Sequence, residues 1–369
     1  IKQMPKKSAD DGLLKEEFRN RERQLARAAK RLIPYGVRVS VAGNEIDLQN
    51  LGAAVTRINI LMQQLGGQFV ISELLNRLEY NTEYGRYFVR YQGNTPFPSM
   101  IEPAVPWGYL FNLSLKYLSQ SIASTNKRKD FSELLQLTTD LCLAQYNAQK
   151  FDIWPDITRP SSEIISFIHE LVVRIDLYSL PQTSVSFTSE WCRFMCTWMK
   201  RDGRCTSKLI SLLSEFETLM NNALNLSNND SCVVISKKDK KCRLLLSCSS
   251  ILKCAIFQDV STLNEAFNYP IDILNVNYMM YPIYETTDSI ILLPRTLGVW
   301  NWYEVLFNLA KRESHNGVFA KDVGYMMEDF ITKKMQSHGI KNHTGEYSYL
   351  DVSGEVDILC EGEKWDAYI

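Results

Sequence analysis

The sequence is poor in the residues from which many hydrolases build their sites. Four histidines occur in 369 residues (His169, His315, His338 and His343). They form neither an H-E-x-x-H pair nor a triad pattern, which excludes the common zinc-protease arrangement. No Walker phosphate loop and no G-x-G-x-x-G is present, so any nucleotide hydrolysis would have to come from a partner. No apolar run approaches the roughly 18–20 residues that a membrane-spanning helix needs, which argues against a membrane partner. The first thirty residues are too charged and polar for a secretory signal. Net charge is nearly absent, with 41 Lys/Arg against 42 Asp/Glu and a balance of −1, so the chain is not globally basic. It also lacks internal repeats and low-complexity segments.

Cysteine is present in an odd number, nine, and none of it in paired C-x-x-C. Cys192, Cys196 and Cys205 lack the spacing and the nearby histidine of a structural zinc site. Cys242, Cys248 and Cys254 stand among strand-like residues and read as buried thiols. A large chain with unpaired thiols fits a reducing compartment, so a cytoplasmic location is expected. The first residue is Ile and the last falls inside a strand-like run, so the sequence reads as a portion of a longer chain.

Charge is unevenly placed. Residues 1–31 carry ten Lys/Arg against five Asp/Glu, and the last fifty residues lean acidic. Residues 13–33 predict a basic amphipathic helix, with Leu14, Phe18, Leu25 and Leu32 near one face and a basic remainder, ended by Pro34 and Gly36. Arg23, Arg27, Lys30 and Arg31 on it read either as contacts to nucleic-acid phosphates or as a solvated face. A strand at Val37–Val41 turns at Gly43-Asn44. Asp47 then caps a helix through Leu65 that Gly66-Gly67 stops. A second helix is expected over 69–80 and extended structure around Tyr87–Val89. Pro96, Pro98, Pro103 and Pro106 impose a loop over 92–107.

Helices follow at about 107–120, 131–148, 161–177, 188–200 and 205–224, with Lys127-Arg128-Lys129 in a polar turn. A polar linker at Asn225–Ser231 marks a boundary. Beyond it, Cys232–Ser236 and Arg243–Ser247 predict a hairpin with a basic tip, Lys237 to Lys241. Lys237 and Lys238 there read as nucleic-acid contacts or as a soluble turn blunting an edge strand. Strands are expected at Tyr278–Tyr284 and Ser289–Leu293, and an aromatic-rich helix at Trp300–Lys311. The expected organisation is a mainly helical recognition or partner-binding region over 1–225, a β-rich connection over 226–299 and a further domain over 300–369.

The last domain holds the one stretch with specific chemistry. A helix over Gly324–Met335 carries Glu328 and offers Phe330, Ile331 and Met335 to a core. Strand segments follow at Tyr347–Val352, Glu355–Cys360 and Trp365–Ile369. Strict alternation would put Glu355 and Asp357 on one face of their strand. Hard oxygen ligands gathered there suit Mg²⁺ or Mn²⁺; the same tetrapeptide, Gly354 to Asp357, also arises as an edge strand with solvated acids.

The order of a helix glutamate, a Gly-Glu-Val-Asp-Ile-Leu strand and a hairpin into the next strand resembles the PD-(D/E)XK nuclease superfamily, in particular its restriction-endonuclease-like and resolvase-like members. The resemblance covers about the last fifty residues. Together with the helices read from the pattern, it implies an α+β chain: a largely α-helical N-terminal region followed by a mixed α/β restriction-endonuclease-like core that is incomplete at the C-terminus. It further implies Mg²⁺ (or Mn²⁺)-dependent hydrolysis of phosphodiester bonds in nucleic acid, DNA before RNA, with Asp357 and Glu328 as metal ligands and Glu355 as an auxiliary acid. The family's E-x-K element belongs on the hairpin's second strand. Glu361-Gly-Glu-Lys364 does not match its spacing, so that element either follows Ile369 or is missing. Such chains resemble restriction or antiphage effectors. The other reading, from a different class, is a non-catalytic adaptor or partner subunit of a larger nucleic-acid-processing complex, or a homo-oligomer.

Overall fold

The computed structural model describes residues 23–42, 45–81, 86–89, 105–120, 122–147, 177–178, 185–201, 207–227, 232–242, 256–257, 260, 262–275, 283–293, 319–349, 352–361 and 366–368. The segments expected as a loop over 92–107, as helices over 161–177 and 300–311, and as a strand over 243–247 lie wholly or mostly outside them.

Helix α1, residues 23–32, buries Ala28, Ala29 and Leu32 and ends in a 3₁₀ turn at Ile33–Tyr35. Strands β1 (Arg38–Ala42) and β2 (Glu45–Gln49) then pair antiparallel with two residues between them. This corrects the expected cap: Asp47 lies in β2 opposite Ser40, because the returning strand stays paired as far as Gln49. Helix α2 (Leu51–Leu65) starts after Asn50, whose φ of 63° suits a residue tolerant of the left-handed region. The Asn50 side chain donates to the Gly36 carbonyl at 2.8 Å. The 3.6-residue rhythm of α2 is realised as a one-sided stripe, Ala54, Val55, Ile58, Leu61, Met62 and Leu65, all buried.

Helix α3 (Gly67–Asn76) ends earlier than its pattern suggested, because Leu78–Asn81 form strand β3, paired with β4 (Arg86–Val89). Helix α4 (Trp107–Lys116) is buried from Trp107 through Leu115, all the way round, as expected of a helix at the centre of a core. Helix α5 (Lys127–Asn147) begins with Lys127-Arg128-Lys129, which sequence placed in a turn. The local caps explain the difference. Asn126 Oδ1 accepts the Lys129 N–H at 3.3 Å, meeting one orphan donor of the first turn, and Ser124 Oγ donates to Asp130 Oδ2 at 2.6 Å, tying the incoming chain to that turn.

Helices α6 (Val185–Arg201) and α7 (Ser207–Ser227) pack on one another, and α7 runs past the linker expected at Asn225. A four-stranded sheet follows in the order β5-β8-β7-β6, from β5 (Val233–Ser236), β6 (Ile256–Phe257), β7 (Ile283–Glu285) and β8 (Ser289–Leu292). Only β6 and β7 are parallel. Strand β5 pairs with β8; the second strand of the hairpin expected after it lies outside the described residues. The chain ends in helix α8 (Phe319–Ser337) and strands β9 (Lys341–Tyr349), β10 (Val352–Glu361) and β11 (Asp366–Tyr368), an antiparallel meander with β10 in the middle. The class is α+β. No helix among the described residues is long and apolar enough to cross a membrane.

One core joins α1 to α5 with residues far along the chain. Val260, Leu263, Phe267, Ile273, Tyr284, Ile291 and Leu293 share it, so it crosses the boundary expected at 225/226. Polar side chains fasten the crossing segment: Tyr109 donates to the Asn268 carbonyl at 2.7 Å, and Asn264 donates to the Asn112 carbonyl at 3.2 Å. Arg31 forks onto buried Asp140, Nε to Oδ2 at 2.8 Å and Nη2 to Oδ1 at 2.6 Å, which binds α1 to α5.

Helices α3 and α4 meet at Gly67. Its N–H donates to the Tyr117 carbonyl at 2.8 Å, and a Cβ there would stand 1.9 Å from the Ser114 oxygen. We expect Gly67→Ala to cost about 3 kcal/mol or more, seen as a lower urea midpoint with unchanged m-value.

Burial also sets the alkaline limit. It pushes the Cys142 thiol well above its ordinary 9.0 and the Tyr109 phenol well above 10.0. Both stay protonated in the folded chain while the unfolded chain releases their protons, so stability falls as pH rises through 9.0 and then 10.0. Lys116, lowered by burial from 10.5, acts with the opposite sign below that value. Unfolding free energies from urea titrations across this range should fall by up to about 1.4 kcal/mol per pH unit for each such group, and Cys142→Ala should make the fall above 9.0 shallower.

Candidate metal site and basic surfaces

Helix α8 stops because Gly339, at φ 75°, takes the left-handed conformation. The Gly339 N–H then donates to the Gln336 carbonyl and the Ile340 N–H to the Met335 carbonyl, each at 3.0 Å. This paired closure reverses the chain and satisfies the last carbonyls. Strand β9 starts at once beside the helix it has left: the Asn342 side chain donates to the Thr332 carbonyl at 3.2 Å. His338 is spent on the same turn, its Nδ1 lying 2.8 Å from the Lys334 carbonyl.

Strand β10 pairs with β9 along most of its length, and α8 packs against both. The helix carrying Glu328 therefore rests on the strand carrying Asp357. Glu328 is half-buried and already engaged by a neighbour. On β10, Glu355 is in register with Glu346 and Val356 with Gly345; the next pair is Leu359 with His343. Asp357 and Ile358 thus oppose the single residue Thr344, a one-residue bulge. Strict alternation, which was to align Glu355 with Asp357, is interrupted at Asp357 itself. The side chains at 346, 355 and 357 lie outside what is described. Among the described residues no group of three or more His, Cys, Asp or Glu is placed to hold a metal ion.

The register adds a position that sequence reading missed. Glu346 stands directly across from Glu355, and like charges at directly opposed positions disfavour a ladder unless something relieves them. Sequence carries no sign of it, since the pairing depends on where β9 begins.

The six basic residues expected to touch nucleic acid divide. Arg23, Arg27 and Lys30 are exposed along α1, and no acid occurs between residues 23 and 44. Arg31 is taken by Asp140. Lys237 pairs with Glu285 at 2.8 Å, and its N–H donates to the Asp288 carbonyl, while Lys238 is exposed. The basic tip is thereby folded onto the β7–β8 turn.

A further polar group escaped sequence reading. Lys116 Nζ donates to the Phe267 carbonyl at 3.0 Å and to Asn268 Oδ1 at 2.8 Å; Asn59 donates to the same Oδ1 at 3.1 Å and accepts from Tyr117 OH at 3.0 Å. Burial lowers the Lys116 pKa. These groups spend their bonds on one another, so the set works as a clasp between α2, α4 and residues 267–268.

Compared with family models, with curated proteins and with solved structures, the chain matches none.

The opposed glutamates yield a metal-dependent outcome. Without divalent ions Glu346→Gln should stabilise the chain by about 0.2–1 kcal/mol, read from thermal unfolding. In Mg²⁺ that gain should shrink or reverse, because the variant gives up a donor. An equal gain in both conditions would separate Glu346 from any cation site.

Proposed function

We propose that the C-terminal unit is the metal-binding half of a nuclease site that hydrolyses phosphodiester bonds in DNA, with RNA the alternative substrate. The observation that carries the reading is one of placement. Asp357 occupies a bulge on the middle strand of the meander, and α8, bearing Glu328, packs against that strand. Bulges re-aim side chains and recur beside active sites. The donor chemistry fits a hard cation, since Glu328, Glu355 and Asp357 offer only carboxylate oxygens. Asp357 and Glu328 would hold Mg²⁺ (or Mn²⁺), and Glu355 would serve as an auxiliary acid. The bound ion would supply Lewis acidity to the phosphate and a more acidic attacking water.

The reading needs one further element, and the pairing of β10 with β11 suggests where to look for it. Leu359 faces Tyr368 across β10 and β11. If that pairing continued for two residues, the residue after Ile369 would stand across from Asp357. An acid at or next to that position, followed two residues later by lysine, is what this reading requires; the codons after Ile369 test it directly. In the protein carrying them, Asp357→Ala should abolish Mg²⁺-dependent cleavage of a DNA duplex. Cleavage that persists would refute the site, and a different ending would favour an adaptor role in a nucleic-acid-processing complex, including an antiphage one.

Arg23, Arg27 and Lys30 are the cations we assign to the phosphate backbone. Three contacts predict a slope of about −2.7 in log affinity against log salt, and Arg27→Ala should reduce it by about 0.9. Titration of a labelled duplex without metal checks this separately from cleavage; a flat salt response would remove the assignment.

A further inference from the structure

Glu328 sits on α8, and α8 is anchored by a helix more than a hundred residues earlier in the chain. Phe330 is wedged against α6, with the Trp191 and Phe194 ring centroids each 5.2 Å from its own, at interplanar angles of 68° and 61°. Trp191 and Phe194 stack on each other at 6.2 Å and 15°. Lys333 Nζ lies 4.9 Å from the Phe194 centroid and also bonds Asp329 at 2.6 Å, and Lys334 pairs with Glu190 of α6. Trp191 is fully buried and Phe330 nearly so.

Glu328 is two residues from both Met326 and Phe330, the buried positions among the described residues of α8. Two residues amount to about 200° around a helix, so the α6 seam and the Glu328 position occupy opposite sides of α8. Seam packing therefore fixes the rotation of α8 about its axis, and rotation decides where a carboxylate on the far side stands. At a radius of roughly 5–6 Å, a turn of about 30° displaces it by about 3 Å. Metal–oxygen distances tolerate only about 0.2 Å. A seam that slips by a fraction of a residue would unmake such a site.

We infer that Trp191 and Phe194 are positioning residues for the candidate metal site: through Phe330 they set the orientation of the helix that presents Glu328 to β10. The inference rests on the metal-site reading proposed above. It also makes the unit discontinuous, composed of α6 together with α8 and the meander, where sequence had drawn a domain over 300–369.

The test uses the 369-residue chain, with Phe194→Ala and the milder Phe194→Leu as variants. Mn²⁺ alone is the probe, followed by its paramagnetic resonance, with hydrogen exchange read along α8. In Phe194→Ala we expect α8 amides to exchange about tenfold faster while those of α2, α4 and α5 keep their protection. Mn²⁺ affinity should fall about tenfold or more, and Phe194→Leu should restore most of both. Faster α8 exchange with unchanged Mn²⁺ affinity would overturn the positioning role, as would α8 exchange that does not move. If the unaltered chain takes up no Mn²⁺, the positioning role falls with the site, and exchange alone would then mark a purely structural seam.

Discussion

Helix α8 has to be buried by two partners that are remote from each other in the sequence, and the C-terminal part of the molecule depends on that double burial. On one side Phe330 enters the edge-to-face cluster with Trp191 and Phe194, where each aromatic pair adds about 0.5–1.5 kcal/mol beyond area burial. Elsewhere on its surface the helix lies against β9 and β10. The turn at Gly339 makes both compatible, because it reverses the chain within three residues and starts β9 against the helix it leaves. A shift of α8 would move β9 with it, and β10 by pairing. Helix position and the bulge at Asp357 are thus coupled through backbone hydrogen bonds, whatever chemistry is placed there.

The larger core obeys a different constraint. Helix α4 is buried all round, so its surroundings must satisfy its polar groups as well as cover its side chains. Ser114 and Asn112 bond back to the helix's own carbonyls. Tyr109 and Lys116 reach out to residues 267 and 268 instead. These bonds hold a segment distant in sequence against α4 and bring β7 and β8 into the same core. The Arg31 fork on Asp140 extends that rigid body to α1. The exposed cations of α1 therefore stand on a helix that is itself packed and ion-paired to this core.

Elements with one-sided burial could be read from sequence because periodicity reports burial directly. The stripe of α2 from Val55 to Leu65 belongs to this group, while the strand at Ser289–Leu292 was legible as a short apolar run buried on both faces and the order of helix and strands after Phe319 from its turn residues. What failed was decided by partners at a distance or by competing local rules. Asp47 has the chemistry of a cap but is claimed by a hairpin. Lys127 to Lys129 look like a solvated turn, yet Asn126 caps the helix they begin. The pairing of β5 with β8, the Lys116 clasp and the α6–α8 seam join residues more than fifty positions apart, where no local pattern exists. In the candidate site the strand and helix acids were legible as residue types. The bulge at Asp357 and the pairing of Glu355 with Glu346 were not, because both are properties of register.

The account turns on whether α8 and β10 jointly hold a cation. Crystals of the chain soaked in Mn²⁺ and measured at the manganese edge would answer this. An anomalous peak bonded to carboxylate oxygens of both Asp357 and Glu328, at about 2.0–2.3 Å, is the expected result. Density only at other carboxylates, or none at these two when the lattice leaves them accessible, would contradict it.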